Sequence, residues 1–85
     1  MKLTDGKRTV EIIMQGWNGE EWEQDWSMDF FNAGTLAHDE TGASIVEDVD
    51  YCIEQAMDWK YNRGDCADEG YVDPEDRLVK VTVLR

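Results

Sequence analysis

Lysine and arginine are absent between Thr9 and Trp59, a stretch that covers more than half of the 85 residues. The same stretch holds thirteen carboxylates, whereas the two flanks together hold eight basic and seven acidic residues, so one block accounts for the whole formal charge of −12. Such a concentration of like charge destabilises a compact state by self-repulsion, and its field attracts basic surfaces. Because the same field repels phosphates, we expect no direct binding to nucleic acid.

Residue types that carry catalysis or bind metals are also scarce. His38 is the only histidine, no glycine-rich phosphate loop is present, and no serine or cysteine has a base at a recognisable spacing. Cys52 and Cys66 are too few for a disulfide framework, and they lack the Cys-x-x-Cys spacing or the second histidine of a zinc site. We therefore predict free thiols and a protein that is not an enzyme and binds no cofactor or metal.

Long apolar runs are missing as well. No stretch approaches the roughly 18 apolar residues of a membrane span, and the first residues lack the apolar run of a signal peptide, so we expect a cytoplasmic protein without a membrane partner. What the chain does contain is 41% apolar residues, including four tryptophans. Burial of these apolar side chains can offset the conformational entropy that the chain loses on folding. Residues 1–85 are therefore predicted to form a single folded domain with one core.

A strand and a hairpin are predicted in the first third of the chain. Val10, Ile12 and Met14 alternate with their neighbours in the period-two pattern of a half-buried strand. Asn18 and Gly19 then form the dipeptide that is typical of hairpin turns. A two-residue turn at this dipeptide would place the three aliphatic residues on the same face as acids.

We therefore favour a three-residue hairpin loop, which sets Met14 opposite Trp22 and Val10 opposite Trp26. In this register both tryptophans enter the core. The other face of the hairpin then brings Glu11 opposite Asp25 and leaves the remaining acids, Glu21 and Glu23, opposite Gln15 and Ile13. Like charges directly across a ladder are destabilising, so folding alone would not select this arrangement.

An amphipathic helix of about 14 to 17 residues is predicted in the second half. It begins at a cap formed by Ser44 or, slightly later, Asp48, and Gly64 is placed to end it. The residues that recur at helical spacing on its apolar side are Val49, Cys52, Ile53, Ala56 and Lys60. On its polar side four acids form a stripe of roughly 16 Å, which like-charge repulsion disfavours: Glu47, Asp50, Glu54 and Asp58.

A last strand covers residues 78–84, with Val79, Val81 and Val83 facing the helix. The order is β-β-α-β. The predicted fold is α+β, with a small antiparallel sheet and one amphipathic helix packed on one face. Its expected core consists of Val10, Ile12, Met14, Trp22, Trp26, Ile53 and the three valines.

In size, in the sign of its charge and in the concentration of acids on an α+β core, the chain resembles the small phage-encoded nucleic-acid mimics, the anti-CRISPR and anti-restriction proteins. The resemblance implies a cytoplasmic inhibitor, in a bacterial host cell, that occupies the basic nucleic-acid-binding surface of a defence nuclease or CRISPR surveillance complex. The residues expected to bind this partner are Glu21, Glu23, Asp25, Glu47, Asp50, Glu54, Asp58 and Trp17. Trp17 is an interface anchor if it is exposed, or it folds back on the sheet edge.

Three other interpretations stay open. The acids could serve solubility or adaptation to salt alone, or the protein could be an interaction module that docks through its aromatic hairpin. Residues 65–76 also match part of an EF-hand loop, with Asp65 at the first position and Gly70 at the sixth. Ala67 stands at the third position, where a ligand belongs. The sequence does not fix the oligomeric state.

Overall fold

A computed structural model describes residues 1–24 and 36–85, apart from the side chains of Asp65, Asp68 and Glu69. The described strands are β1 (Lys2–Thr4), β2 (Thr9–Trp17), β3 (Trp22–Gln24), β4 (Ser44–Ile45) and β5 (Arg77–Val83), and the helix is α1 (Val49–Lys60). Two short 3-10 helices, Gly64–Glu69 and Pro74–Asp76, lie between α1 and β5. The α+β fold with one helix and a small sheet is confirmed.

The sheet is built around β2. Along one edge β2 pairs antiparallel with β5 over residues 10–16, and along the other edge it pairs with β1 at its start and with β3 at its end. β1 also pairs with β4 in parallel, so the sheet is mixed rather than wholly antiparallel. The two additional strands are three and two residues long, too short to produce a periodic pattern in the sequence.

The predicted hairpin register is wrong. Trp17 lies opposite Trp22 and Gln15 opposite Gln24, so four residues connect β2 and β3 instead of three. β5 and β1 flank β2 and extend its aliphatic face, with Val79 opposite Met14 and Leu3 opposite Val10. Because these strands supply the neighbours of the aliphatic side chains, no core contact holds Trp22 in the predicted register.

The core lies between α1 and the face of the sheet that carries Val10, Ile12 and Met14, which are fully buried as predicted. Trp22 is exposed over 39% of its surface, which corrects its placement in the core. Trp26 lies outside the described residues. Of the three valines of β5, Val79 and Val81 pack against the core, whereas Val83 is exposed.

The helix buries Val49, Cys52, Ala56 and Trp59, at spacings of three, four and three residues. Trp59 is the largest fully buried side chain, and it occupies the place that the sequence pattern gave to Lys60. Asp48 is the N-cap and accepts hydrogen bonds from two backbone N–H groups, whereas the alternative cap, Ser44, lies in β4. The helix has twelve residues, shorter than predicted, because it ends at Lys60 and Asn62 turns left-handed (φ 54°) ahead of Gly64.

Cys52 is a free thiol, as predicted, and both Cys52 and Cys66 are buried in the core. Burial raises the pKa of the Cys52 thiol, and the nearby carboxylate of Asp48 adds to the effect. This thiol therefore stays protonated. In the described ranges no helix combines the length and apolar character that crossing a membrane requires.

Candidate partner-binding surface

The tip of the β2–β3 hairpin presents two aromatic side chains to solvent. The rings of Trp17 and Trp22 meet edge to face, with centroids 5.5 Å apart and an interplanar angle of 63°. Trp17 is 42% exposed and Trp22 39%. They face away from α1, because Trp17 alternates with the core residues of β2. Trp17 is therefore exposed, as the anchor interpretation requires, and it packs on Trp22 rather than on the core.

The turn between these strands is organised by Asn18, whose side-chain oxygen accepts hydrogen bonds from the N–H groups of Glu20 and Glu21. The carboxylates of Glu20, Glu21 and Glu23 are exposed, and the alternation of β3 directs Glu23 to the sheet face opposite that of Trp22. No described lysine or arginine forms an ion pair with any of the three. We call Trp17, Trp22 and these three acids the hairpin tip.

The predicted acidic stripe is only partly available to a partner. Asp50 forms an ion pair with Arg8, and Asp58 lies 3.2 Å from the guanidinium of Arg63. Hydrogen bonding and charge from Asp50 raise the pKa of Arg8 above its ordinary value. Glu54 is exposed and makes no ion pair with a described residue.

The remaining stripe residue, Glu47, is exposed and precedes the helix. The hairpin and helix acids do not form one continuous row. The helix N-terminus lies near the β1–β2 turn, where Arg8 reaches Asp50. Its C-terminus lies at the opposite end of the sheet, where Arg77 donates to the Trp59 carbonyl and pairs with Gly16. The hairpin tip lies beyond that second end.

Basic side chains are kept away from the hairpin tip in two ways. Some are bound within the protein: Lys60 donates to the carbonyls of Pro74 and Arg77, and Arg77 itself is buried against Trp59. Lys2 and Lys80 lie on the sheet face that also carries Trp17 and Trp22, but they are opposite Glu11 and Ile13, at least four residues from Trp17 along β2.

A pocket of about 490 Å³ opens beside the start of α1. Its lining residues, which we call the α1 pocket, are Leu36, Val46, Glu47, Asp48, Tyr51 and Cys52. The lining combines apolar groups with the carboxylates of the adjacent residues Glu47 and Asp48. Sequence reasoning used Glu47 and Cys52 separately but missed the pocket, because Leu36 and Val46 reach it only through the path of the chain before the helix.

The structure places some of the predicted site residues near one another and separates others. Glu21, Glu23 and Trp17 lie in the β2–β3 hairpin, whereas Glu54 lies in α1 and Glu47 just before it. Asp25 lies outside the described residues. The exposed position of Trp22 was missed because the wrong register assigned it to the core. The signal that could have revealed it is a four-residue turn in which the side-chain oxygen of an asparagine accepts hydrogen bonds from the N–H groups two and three residues later.

No metal centre was found among the described side chains: no three His, Cys, Asp or Glu residues are grouped closely enough to bind an ion. The segment predicted as a possible calcium loop instead forms the two 3-10 helices, and Asp73 there accepts a hydrogen bond from the N–H of Glu75. Comparisons with protein-family models, curated proteins and solved structures give no match to this chain.

Proposed function

We propose that this protein is a non-enzymatic inhibitor that binds the basic nucleic-acid-binding surface of a defence nuclease or a CRISPR surveillance complex. Its net charge of −12 would speed association with such a surface at low salt. The proposal is carried by one observation: no described lysine or arginine forms an ion pair with the acids of the hairpin tip, and Lys60 and Arg77 are bound within the protein.

Mimicry of nucleic acid would be partial. Duplex DNA carries one charge per ~1.7 Å of its axis, whereas alternate residues of a strand are ~6.8 Å apart. Ion pairing also occupies Asp50 and Asp58, so we assign the main contact to Glu20, Glu21 and Glu23. Trp17 and Trp22 would add an aromatic anchor at the centre of this contact, since exposed tryptophan is a common source of binding energy at interfaces.

The exposed tryptophan pair also supports a second candidate, an interaction module that docks mainly through its aromatic hairpin while the acids serve solubility. The two functions differ in their dependence on salt. An inhibitor steered by charge associates more slowly as salt rises, because the attraction is screened. An aromatic docking module keeps its association rate.

Capture from a bacterial lysate tests the proposal. The protein is immobilised at low salt, bound proteins are eluted by a salt step, and mass spectrometry identifies them. We expect basic nucleic-acid-binding proteins in the eluate, and we expect Glu21→Gln with Glu23→Gln to lose them. Glu40→Lys, at an exposed turn, changes the net charge by the same amount and serves as the control. Equal capture by both variants would refute the assignment of the hairpin tip.

A further inference from the structure

The helix region carries the same pair of side chains at both ends, an aspartate followed three residues later by a tyrosine. At the C-terminal end this pair holds an arginine of the protein itself. The guanidinium of Arg63 lies 3.2 Å from the Asp58 carboxylate and 5.4 Å from the centre of the Tyr61 ring. A carboxylate beside an aromatic ring suits arginine, whose planar and weakly hydrated group can pair with one and stack on the other.

At the N-terminal end the corresponding pair, Asp48 and Tyr51, makes no ion pair or cation–ring contact with a described residue, and Arg8 acts on Asp48 only through its charge. One oxygen of Asp48 caps two N–H groups of the helix, and the other accepts no hydrogen bond from a described residue. Tyr51 is 59% exposed. Both residues line the α1 pocket, where Leu36 and Val46 supply apolar walls.

We propose that the α1 pocket binds an arginine side chain of the partner protein. The aliphatic stem would pack against Leu36 and Val46, and the guanidinium would lie against Tyr51 between the carboxylates of Glu47 and Asp48. A volume of about 490 Å³ is in the range of small-ligand sites and leaves room for part of the neighbouring residue. The proposal rests on the proposed function only in that the partner is a basic protein.

The charge at this end of the helix favours a cation. The N-terminus of a helix carries roughly half a positive charge. Three carboxylates stand there, those of Glu47, Asp48 and Asp50, and Arg8 supplies one positive charge, which pairs with Asp50 and also acts on Asp48. The negative charge that remains outweighs the helix end, so a guanidinium is attracted and an anion is repelled.

A titration of the ¹⁵N-labelled protein followed by NMR tests the pocket without the partner. The probe is the blocked peptide acetyl-Gly-Arg-Gly-amide, and the same peptide with citrulline, which has the shape of arginine but no charge, is the control ligand. We expect saturable shifts confined to Leu36 and residues 46–52 with arginine and weaker ones with citrulline. Shifts of equal size with both peptides, or shifts spread over all acidic residues, would overturn the proposal.

Two variants locate the contact. Glu47→Gln should weaken arginine binding about tenfold, the effect expected for loss of one charge-assisted hydrogen bond, and Tyr51→Ala should weaken it by a similar factor. Glu54→Gln makes the same charge change outside the pocket and should leave the affinity unchanged. All three positions are exposed, so the fold is retained. Equal weakening by Glu47→Gln and Glu54→Gln would contradict a pocket-specific contact.

The lysate capture then separates this proposal from the proposed function. Wild-type capture of basic proteins without arginine binding by the isolated protein rejects only the pocket. Arginine binding with no captured basic protein rejects the inhibitor and leaves a pocket that binds arginine peptides. If the peptide binds and capture survives Tyr51→Ala undiminished, the pocket is not part of the interface, and the proposal fails.

Discussion

At the scale of single residues, Arg77 explains how a basic side chain contributes to the fold without opposing the acidic surface. It is 8% exposed, and its guanidinium lies 4.6 Å from the centre of the Trp59 ring. It donates hydrogen bonds to the Trp59 carbonyl and to the side-chain oxygen of Asn62, at 3.3 Å in the second case. Arg77 therefore links β5 to the C-terminal end of α1, where free helix carbonyls need donors.

Replacing this arginine should be costly. Arg77→Ala removes one of the two donors to the Trp59 carbonyl, which keeps the N–H of Asn62, and it removes the stacking on Trp59; we expect it to lower the free energy of unfolding by about 2–4 kcal/mol. Arg77→Lys should cost less, since it keeps the charge but not the planar group. Urea unfolding followed by tryptophan fluorescence measures both.

Lys80 provides the matched control, because it lies on the same strand and is exposed. Lys80→Ala removes the same charge and should change the free energy of unfolding by no more than about 0.5 kcal/mol. A loss in Arg77→Ala as small as that in Lys80→Ala would show that the buried contacts of Arg77 do not stabilise the fold.

At the scale of elements, the start of α1 depends on Asp48, which accepts hydrogen bonds from the N–H groups of Asp50 and Tyr51 at 2.9 and 3.3 Å. Asp48→Ala should destabilise the protein by about 1 kcal/mol, the usual cost of losing an N-cap. Asp48→Asn should restore most of that loss, because asparagine is an equally good cap. Thermal or urea unfolding provides the measurement.

The neighbouring Glu47 controls for charge in this experiment. Glu47→Ala removes the same negative charge from the same region but no capping bond, since its side chain is exposed and lies outside the helix. The difference between the two alanine variants therefore isolates the cap. Equal stability of both would mean that the capping hydrogen bonds contribute nothing.

The elements also show how far the sequence could be interpreted. Cap chemistry narrowed the helix start to two candidates, Ser44 and Asp48, and the α+β class, the aliphatic face of β2 and the last strand followed from periodicity, which is local. The hairpin register did not, because it was chosen by asking β3 to cover Met14, a task that β5 performs through a contact distant in sequence. Trp17 and Trp22 consequently form an exposed pair.

The candidate site shares this limit. The acids could be counted in the sequence, but ion pairing could not be deduced from it, because Arg8 reaches Asp50 across 42 residues of chain. The number of stripe acids that remain available to a partner was therefore overestimated. Only Arg63, which follows Asp58 by five residues, lay close enough in sequence to suggest a pair. Tertiary contacts determine which carboxylates remain available to a partner.

At the scale of the whole molecule, the net charge of −12 should make stability depend on salt. Raising the ionic strength from 0.01 to 0.15 M shortens the screening length from ~30 Å to ~8 Å, which weakens repulsion across the folded protein. We expect the free energy of unfolding to rise over this range of NaCl concentration. Glu20→Gln with Glu21→Gln should reduce the rise. A fall in stability with salt would show that the ion pairs outweigh the repulsion.

The central claim is that the acidic surface excludes nucleic acid from the site of its partner. The most direct measurement is a mobility-shift assay in which a basic protein captured from the lysate, bound to its labelled nucleic acid, is titrated with this acidic protein. We predict that the shifted band disappears near one equivalent and persists with Glu21→Gln and Glu23→Gln combined. A slower band containing the acidic protein, its partner and nucleic acid together would contradict the claim.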